Sequence, residues 1–183
     1  MIETFNLESF QGTIQKALAD FHRSGLIARI WRKDYTVWAE KDQEISDRLG
    51  WLETPERMAG ALPGIGRFVE DVRQAGYTHA LLLGMGGSSL APEVFAKVFG
   101  TAKGFLQLKV LDSTDPEAVL DFKNTLPLEK TLFIVSSKSG TTLETDSFLN
   151  FYYTWAAGAL GKARAGAQFT AITDPGTRLE KIA

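Results

Sequence analysis

The sequence predicts an α/β fold: a parallel sheet with helices on both faces, preceded by a helical N-terminal segment. Up to Gly76 the apolar residues recur at helical spacing, whereas the rest of the chain has four short apolar runs that alternate with helical patterns. The four runs are THALLLG, FLQLKVLD, TLFIVSS and QFTAIT. Such alternation is typical of parallel sheets with right-handed crossovers. We therefore expect residues 1–76 to form the helical segment and residues 77–183 to form the α/β domain.

The N-terminal segment is predicted to begin with an amphipathic helix. Asn6 can cap its start and Gly25 can end it. The apolar positions at helical spacing are Leu7, Phe10, Ile14, Leu18 and Phe21. Because these positions share one side of a helix, we expect that side to be buried.

Tryptophans and a proline mark the rest of this segment. We expect the tryptophans of the charged stretch that follows to anchor a loop and short helices by packing. They are Trp31, Trp38 and Trp51. Thr54 is predicted to cap the next helix, with Pro55 at its first position. Apolar spacing from Ile65 onwards predicts an amphipathic helix that runs to Gly76.

Composition and charge exclude several functional classes. With 20 basic and 22 acidic residues the formal net charge is -2, so no nucleic acid partner is expected. The absence of cysteine excludes disulfides and thiolate metal ligands, and two histidines far apart make a histidine metal site an unfavoured interpretation. No apolar run approaches the ~20 residues of a membrane span, and the N-terminus is acidic where a secretion signal would be basic. We therefore expect a cytoplasmic protein without a metal or a membrane partner.

The first predicted strand runs into a loop of glycines and serines. A dinucleotide-binding loop would need a third glycine where Ser89 stands, and a phosphate-binding Walker loop would need a lysine that is absent. Gly86 and Gly87 allow a ligand to approach the backbone, while Ser88 and Ser89 lie at a helix start that favours an anion. A phosphate fits this pattern. The alternative is that one of the serines simply caps the helix.

The loop after the third strand is rich in hydroxyl groups. Its residues are Ser136, Ser137, Lys138, Ser139, Gly140, Thr141 and Thr142. Hydroxyl groups and free amides can surround a phosphate, and Lys138 adds a positive charge. Thr141 and Glu144 also have the spacing of a helix capping box. Because a capping box accounts for only two of these residues, the loop predicts a bound anion.

Both loops together resemble a known family. GMGGSSLAPEV and SSKSGTTLETD, with DSTDPE between them, resemble the two phosphate-loop motifs of the glucose-6-phosphate isomerase family, which has the sugar isomerase (SIS) fold. The resemblance extends through AITDPGTRLEKIA. The lead-in ARIWRKDYTVWAEKDQEISDRLGWL resembles the segment that joins the two parts of bifunctional transaldolase/glucose-6-phosphate isomerase proteins. The resemblance of the two loops implies that residues 77–183 are an incomplete first SIS-type sugar-phosphate-binding domain.

The resemblance also implies roles for individual residues. Matched position by position, the family's phosphate contacts are Gly87, Ser88, Ser137, Lys138, Ser139 and Thr142, with Ser89 and Thr141 as neighbours. Glu144 matches a glutamate that supports the catalytic histidine. Three aspartates at other strand ends are interpreted as turn and helix-cap residues beside Pro116 and Pro175. They are Asp112, Asp115 and Asp174.

The implied activity is the aldose–ketose isomerisation of glucose 6-phosphate and fructose 6-phosphate, and the resemblance implies no cofactor. This chain would supply the loops that bind the substrate phosphate. The family's main catalytic residues fall beyond Ala183, and His22 and His79 are poor substitutes. We therefore expect the chain to be part of a larger enzyme and inactive alone. Two alternatives remain open: a non-catalytic sugar-phosphate-binding SIS domain and a purely structural domain. Whether the protein forms a homo-oligomer also remains open.

Overall fold

The computed structural model describes residues 8–183. They divide into two compact units, one that ends at Ile65 and one that comprises Gly66–Ala183. Asn6 and Leu7, the predicted cap and first apolar position of the leading helix, lie outside the described residues. The domain boundary that the sequence places between residues 76 and 77 stays a prediction.

In the N-terminal unit, helices α1 (Gln11–Ser24) and α2 (Leu26–Trp31) meet at a glycine. Gly25 has a φ of 61° and its N–H donates to the carbonyl oxygen of His22, so the predicted end of the first helix is confirmed. The predicted burial of its apolar side is wrong, since α1 contains no buried residue. Phe10 is 68% exposed and Leu18 is 56% exposed. The short segments that follow α1 leave its apolar side uncovered.

The tryptophans are not packing anchors. Trp31, Trp38 and Trp51 are all largely exposed. Among the described residues of this unit, 8–65, the buried ones are Leu49 and Leu52, in a 3₁₀ segment over Ser46–Glu53. Residues three apart lie on the same side of a 3₁₀ helix, so the two leucines point inward together and Trp51 points outward.

Helix α3 (Thr54–Gln74) begins where that 3₁₀ segment ends. Thr54 has helical dihedral angles, -58° and -42°, and its hydroxyl donates to the carbonyl oxygen of Gly50. The predicted cap at Thr54 is therefore wrong, because the preceding turn already continues into the helix. The amphipathic helix predicted from Ile65 is the last part of α3, which ends at Gln74, before Gly76.

The predicted parallel sheet is confirmed. Its strands are β1 (His79–Gly84), β2 (Gln107–Leu111), β3 (Thr131–Ser136) and β4 (Phe169–Ile172). They are all parallel, in the order β2-β1-β3-β4. Gly84 of β1 pairs with Ser136 of β3, so the ends of the two central strands lie side by side.

Helices cover both faces of this sheet, as predicted. They are α4 (Gly87–Phe99), α5 (Pro116–Thr125), α6 (Leu143–Leu160), α7 (Lys162–Gly166) and α8 (Arg178–Ile182). On one face Leu81, Leu83 and Phe133 pack against Phe148 and Tyr152 of α6. The Tyr152 hydroxyl donates to a backbone carbonyl of α5, and burial raises its pKa.

Helix α4 lies on the opposite face. Its residues Ser88 and Pro92 line one cavity with Leu82, which alternates along β1 with the core residues of the first face. Among residues 8–183, no helix combines the length and the apolar character that crossing a bilayer requires.

Candidate functional site

After the two central strands, β1 and β3, the chain turns to opposite faces of the sheet. After β1 it enters α4 on one face, and after β3 it enters α6 on the other. In a parallel sheet this switch opens a crevice at the carboxyl ends of the strands, where ligands of such folds bind. The loops are tightly packed here: a β-carbon on Gly84 would lie 3.1 Å from the carbonyl oxygen of Ser136 and 3.2 Å from the β-carbon of Ser88.

The first loop leaves one serine facing the crevice. Gly86, with a φ of 53°, is the N-cap of α4 and offers no side-chain cap, so the alternative of a serine cap is not realised. The hydroxyl of Ser89 is buried, donates to the carbonyl oxygen of Gly86 and lies 3.4 Å from a carboxylate oxygen of Asp112. Ser88 is half-buried and lines the cavity at the crevice with Gly87.

The second loop is held by its own hydroxyl groups. The Ser137 hydroxyl oxygen accepts a bond of 3.1 Å from the N–H of Gly140 and lies 3.0 Å from the hydroxyl oxygen of Thr142. On the exposed side, the hydroxyl oxygens of Ser139 and Thr141 lie 2.9 Å apart. These contacts fold the loop into a turn in front of α6.

The capping box predicted at the start of α6 is wrong. The N-cap is Thr142, whose hydroxyl makes no bond to the helix because it bonds to Ser137 instead. Thr141 therefore lies one residue before the cap, and Glu144 is the second residue of the helix, whereas a capping box needs its glutamate at the third. Glu144 is half-buried in this first turn.

The three strand-end aspartates have different surroundings. Asp115 caps α5, since its carboxylate accepts bonds from the N–H groups of Glu117 and Ala118, so its predicted cap role is confirmed. Asp112 contacts Ser89 rather than a helix end. Asp174 lies directly before the turn at Pro175 and Gly176, as expected for a turn residue, but it does not cap α8, whose cap is Thr177.

A cavity of about 360 Å³ lies at the crevice. Three predicted phosphate contacts line it: Gly87, Ser88 and Lys138. Its other lining residues are Leu82, Pro92, Ser136, Ile172, Thr173 and Asp174. The end of β3 thus contributes Ser136, one of the predicted hydroxyl residues of the second loop. Thr173, directly after β4, was missed by sequence reasoning although it follows an apolar run.

The other predicted contacts lie elsewhere in the loop. Ser137 and Thr142 line a much smaller cavity behind it, of about 10 Å³. Ser139 is exposed. The structure therefore brings Gly87, Ser88 and Lys138 to one cavity, with the remaining predicted residues supporting or flanking the same loop.

A further cavity of about 370 Å³ lies beside β4 and has mostly apolar lining, including Val135, Leu149 and Phe169. Its described lining residues include no lysine or arginine. His79 lies at the start of β1, at the opposite edge of the sheet, with a ring nitrogen 2.8 Å from the hydroxyl of Thr78. No histidine is among the described residues that line either cavity. The crevice is thus the cavity that is suited to holding an anion.

The chain has relatives among known proteins. A family model described as phosphoglucose isomerase matches residues 66–182. A glucose-6-phosphate isomerase of Thermus thermophilus is 32% identical over 124 residues, 67% of this chain and 28% of that protein. One of Bordetella pertussis is 32% identical over 141 residues, 74% of this chain and 27% of that protein. The chain thus spans under a third of these relatives.

Solved structures share the fold. The hypothetical protein TT0462 from Thermus thermophilus superposes with a TM-score of 0.65 at 28% identity, covering 92% of this chain and 38% of that one. A glucose-6-phosphate isomerase from Chlamydia trachomatis has a TM-score of 0.58 at 24% identity, over 84% of this chain and 28% of that chain, which supports the fold alone. Since the family model covers more than half of the sequence, the chain belongs to the phosphoglucose isomerase family.

Proposed function

We propose that this chain supplies the substrate-phosphate-binding loops for the isomerisation of glucose 6-phosphate and fructose 6-phosphate. One observation carries the proposal: Gly87, Ser88 and Lys138, from two loops far apart in sequence, line one cavity at the strand-switch crevice. Relatives at about 30% identity are named glucose-6-phosphate isomerase.

Each residue has a physical role in this proposal. The N–H groups of Ser88 and Ser89 already donate to the carbonyl oxygens of Met85 and Gly86. The attraction for a phosphate oxygen near Gly87 and Ser88 therefore comes from the positive end of the α4 dipole and from the Ser88 hydroxyl. Lys138 contributes the positive charge. Ser137, Ser139 and Thr142 supply hydroxyl groups or hold the loop in the shape that presents Lys138.

Phosphate binding would contribute to catalysis indirectly. Binding energy from a group that does not react can position the sugar carbons between which a proton moves. Glu144, in the first turn of α6, is proposed to support a catalytic histidine rather than to abstract the proton. The main acid–base residues are proposed to come from outside these 183 residues, so the chain alone would bind without turnover.

A titration followed by backbone amide NMR shifts tests this function. We expect glucose 6-phosphate, fructose 6-phosphate and inorganic phosphate to shift the amides of Gly87, Ser88 and Lys138, whereas unphosphorylated glucose leaves them unchanged. Shifts without any isomerase activity in a longer protein that contains this chain would favour a non-catalytic sugar-phosphate-binding SIS domain. No shift with any phosphate compound would contradict both functions. A cytoplasmic location stays a prediction.

A further inference from the structure

A buried hydroxyl group behind the second loop has no hydrogen-bond partner. Thr145, the third residue of α6, is 2% exposed, and its Oγ1 has no partner among the described residues. Buried polar atoms of folded proteins almost always have a partner, from the protein or from ordered water. The hydroxyl of Thr145 therefore points to a missing donor or acceptor.

This threonine lines the cavity of about 10 Å³ behind the loop. Its polar neighbours there include Ser137, Gly140, Thr142 and Asp146. A cavity of this volume is about the least that a water molecule requires, and a buried water needs two to four polar partners. It is far too small for a phosphate group, so it is a site separate from the crevice.

We propose that one ordered water molecule occupies this cavity and links the hydroxyl of Thr145 to those of Ser137 and Thr142. A hydroxyl group has one proton to donate and two lone pairs that accept. One lone pair of Ser137 already accepts the N–H of Gly140. The water accepts the proton of Thr145 and donates one proton to the other lone pair of Ser137 and one to Thr142. Ser137 must then donate its own proton to Thr142, 3.0 Å away.

This order of donors has a consequence for ligand binding. Once Thr142 accepts from Ser137, its own proton is free for an outside acceptor. Phosphate oxygens accept hydrogen bonds, so the loop presents a donor that matches the anion, and successive bonds in such a chain strengthen one another. Thr145 is then a positioning residue that acts through the water. This consequence rests on the proposed function, whereas the water itself does not.

Thermal unfolding of Thr145→Val tests the water, because valine has the shape of threonine without the hydroxyl. A dry cavity would leave the wild-type hydroxyl unpaired, and Thr145→Val would then raise the Tm. We expect the opposite, a fall of about 2–4 °C, with Thr145→Ser close to wild type. Thr154→Val, the same change at an exposed position of α6, is the matched control. A raised Tm in Thr145→Val would overturn the proposal.

A crystal structure of the 183-residue chain at a resolution that shows ordered water is the second test. Density for one water between Thr145 and Ser137 supports the proposal, and an empty cavity overturns it.

Titration with inorganic phosphate tests the positioning role. We expect Thr145→Val to bind phosphate several-fold more weakly, and Thr145→Ser within about twofold of wild type. Equal affinities of wild type and Thr145→Val would refute this role. If wild type bound no phosphate, the proposed function would fail, while the Tm and the electron density would still decide whether the water is there.

Discussion

The backbone N–H of Asp174 donates a hydrogen bond of 3.1 Å to the carbonyl oxygen of Lys138. The hydroxyl of Thr173 donates to the same oxygen at 3.4 Å. The loop after β4 therefore holds the backbone of the residue that supplies the cation, while the Lys138 side chain stays exposed at the crevice. The loop after β4 thus fixes the position of the Lys138 backbone, whereas the Lys138 side chain supplies the charge. The two contributions can be tested separately.

Replacement of Lys138 by alanine should weaken phosphate binding and leave the fold intact. A charge-assisted hydrogen bond contributes about 1.5–3 kcal/mol, so the loss should be roughly ten- to hundredfold in Kd. Titration calorimetry and the Tm measure the two effects. Lys103→Ala is the matched control, because it removes an exposed lysine from the loop before β2, at the other edge of the sheet. Equal affinity in Lys138→Ala and wild type would refute the phosphate role of Lys138.

Gly140→Ala should destabilise the protein by about 1–3 kcal/mol. Gly140 has a φ of 64°, and a β-carbon there would lie 2.8 Å from that of Thr177, so alanine would strain the backbone and displace the second loop. Gly158→Ala is the control: it lies inside α6 with open space around it and should stabilise by about 0.5–1 kcal/mol. Chemical denaturation measures both. A Gly140→Ala protein as stable as wild type would mean that this packing does not constrain the loop.

The pKa of Asp34 offers a test in the N-terminal unit. Hydrogen bonds from the Thr36 side chain and from Arg29 lower it from an ordinary 3.8 to about 2. The ionised carboxylate is therefore favoured in the folded state, so its stabilising contribution is complete above about pH 4 and is lost as the pH falls through about 2. A carboxyl-carbon NMR titration should give a midpoint near 2 that rises towards 3.8 in Arg29→Ala. Arg32→Ala should leave it in place, and an ordinary midpoint in wild type would refute the assigned contacts.

The 183-residue chain should not convert fructose 6-phosphate to glucose 6-phosphate. Moving a proton between adjacent carbons needs a base within about 3 Å of that proton. Asp174 is the carboxylate among the described residues that line the crevice, and no histidine lines it. A coupled assay with glucose-6-phosphate dehydrogenase measures turnover. Activity that co-purifies with the chain and disappears in Glu144→Gln or Asp174→Asn would show that catalysis resides in this chain.

The sheet could be predicted because its signal is local. Strands such as β3 are runs of apolar residues that are buried on both faces, and Phe133 and Val135 stand out without any knowledge of their partners. The loops could be located for the same reason, since the carboxyl ends of parallel strands share one edge of a sheet.

The failed predictions concern contacts that periodicity does not encode. Helical spacing shows that Phe10 and Leu18 share a side of α1, but not whether any segment covers that side. The pattern of Thr141 and Glu144 resembles a cap, yet Thr142 takes that position because Ser137, five residues earlier, bonds to its hydroxyl. Thr145 carries no signal at all in the sequence, since its cavity arises only when the loop packs against α6.

A crystal structure of the chain soaked with glucose 6-phosphate tests the central claim most directly. We predict that the phosphate group lies at the crevice, within hydrogen-bond reach of Ser88 and of the loop from Ser137 to Thr142, with the Lys138 side chain turned towards it. Both loops ordered with no phosphate between them, or the phosphate bound only at another surface, would contradict the account.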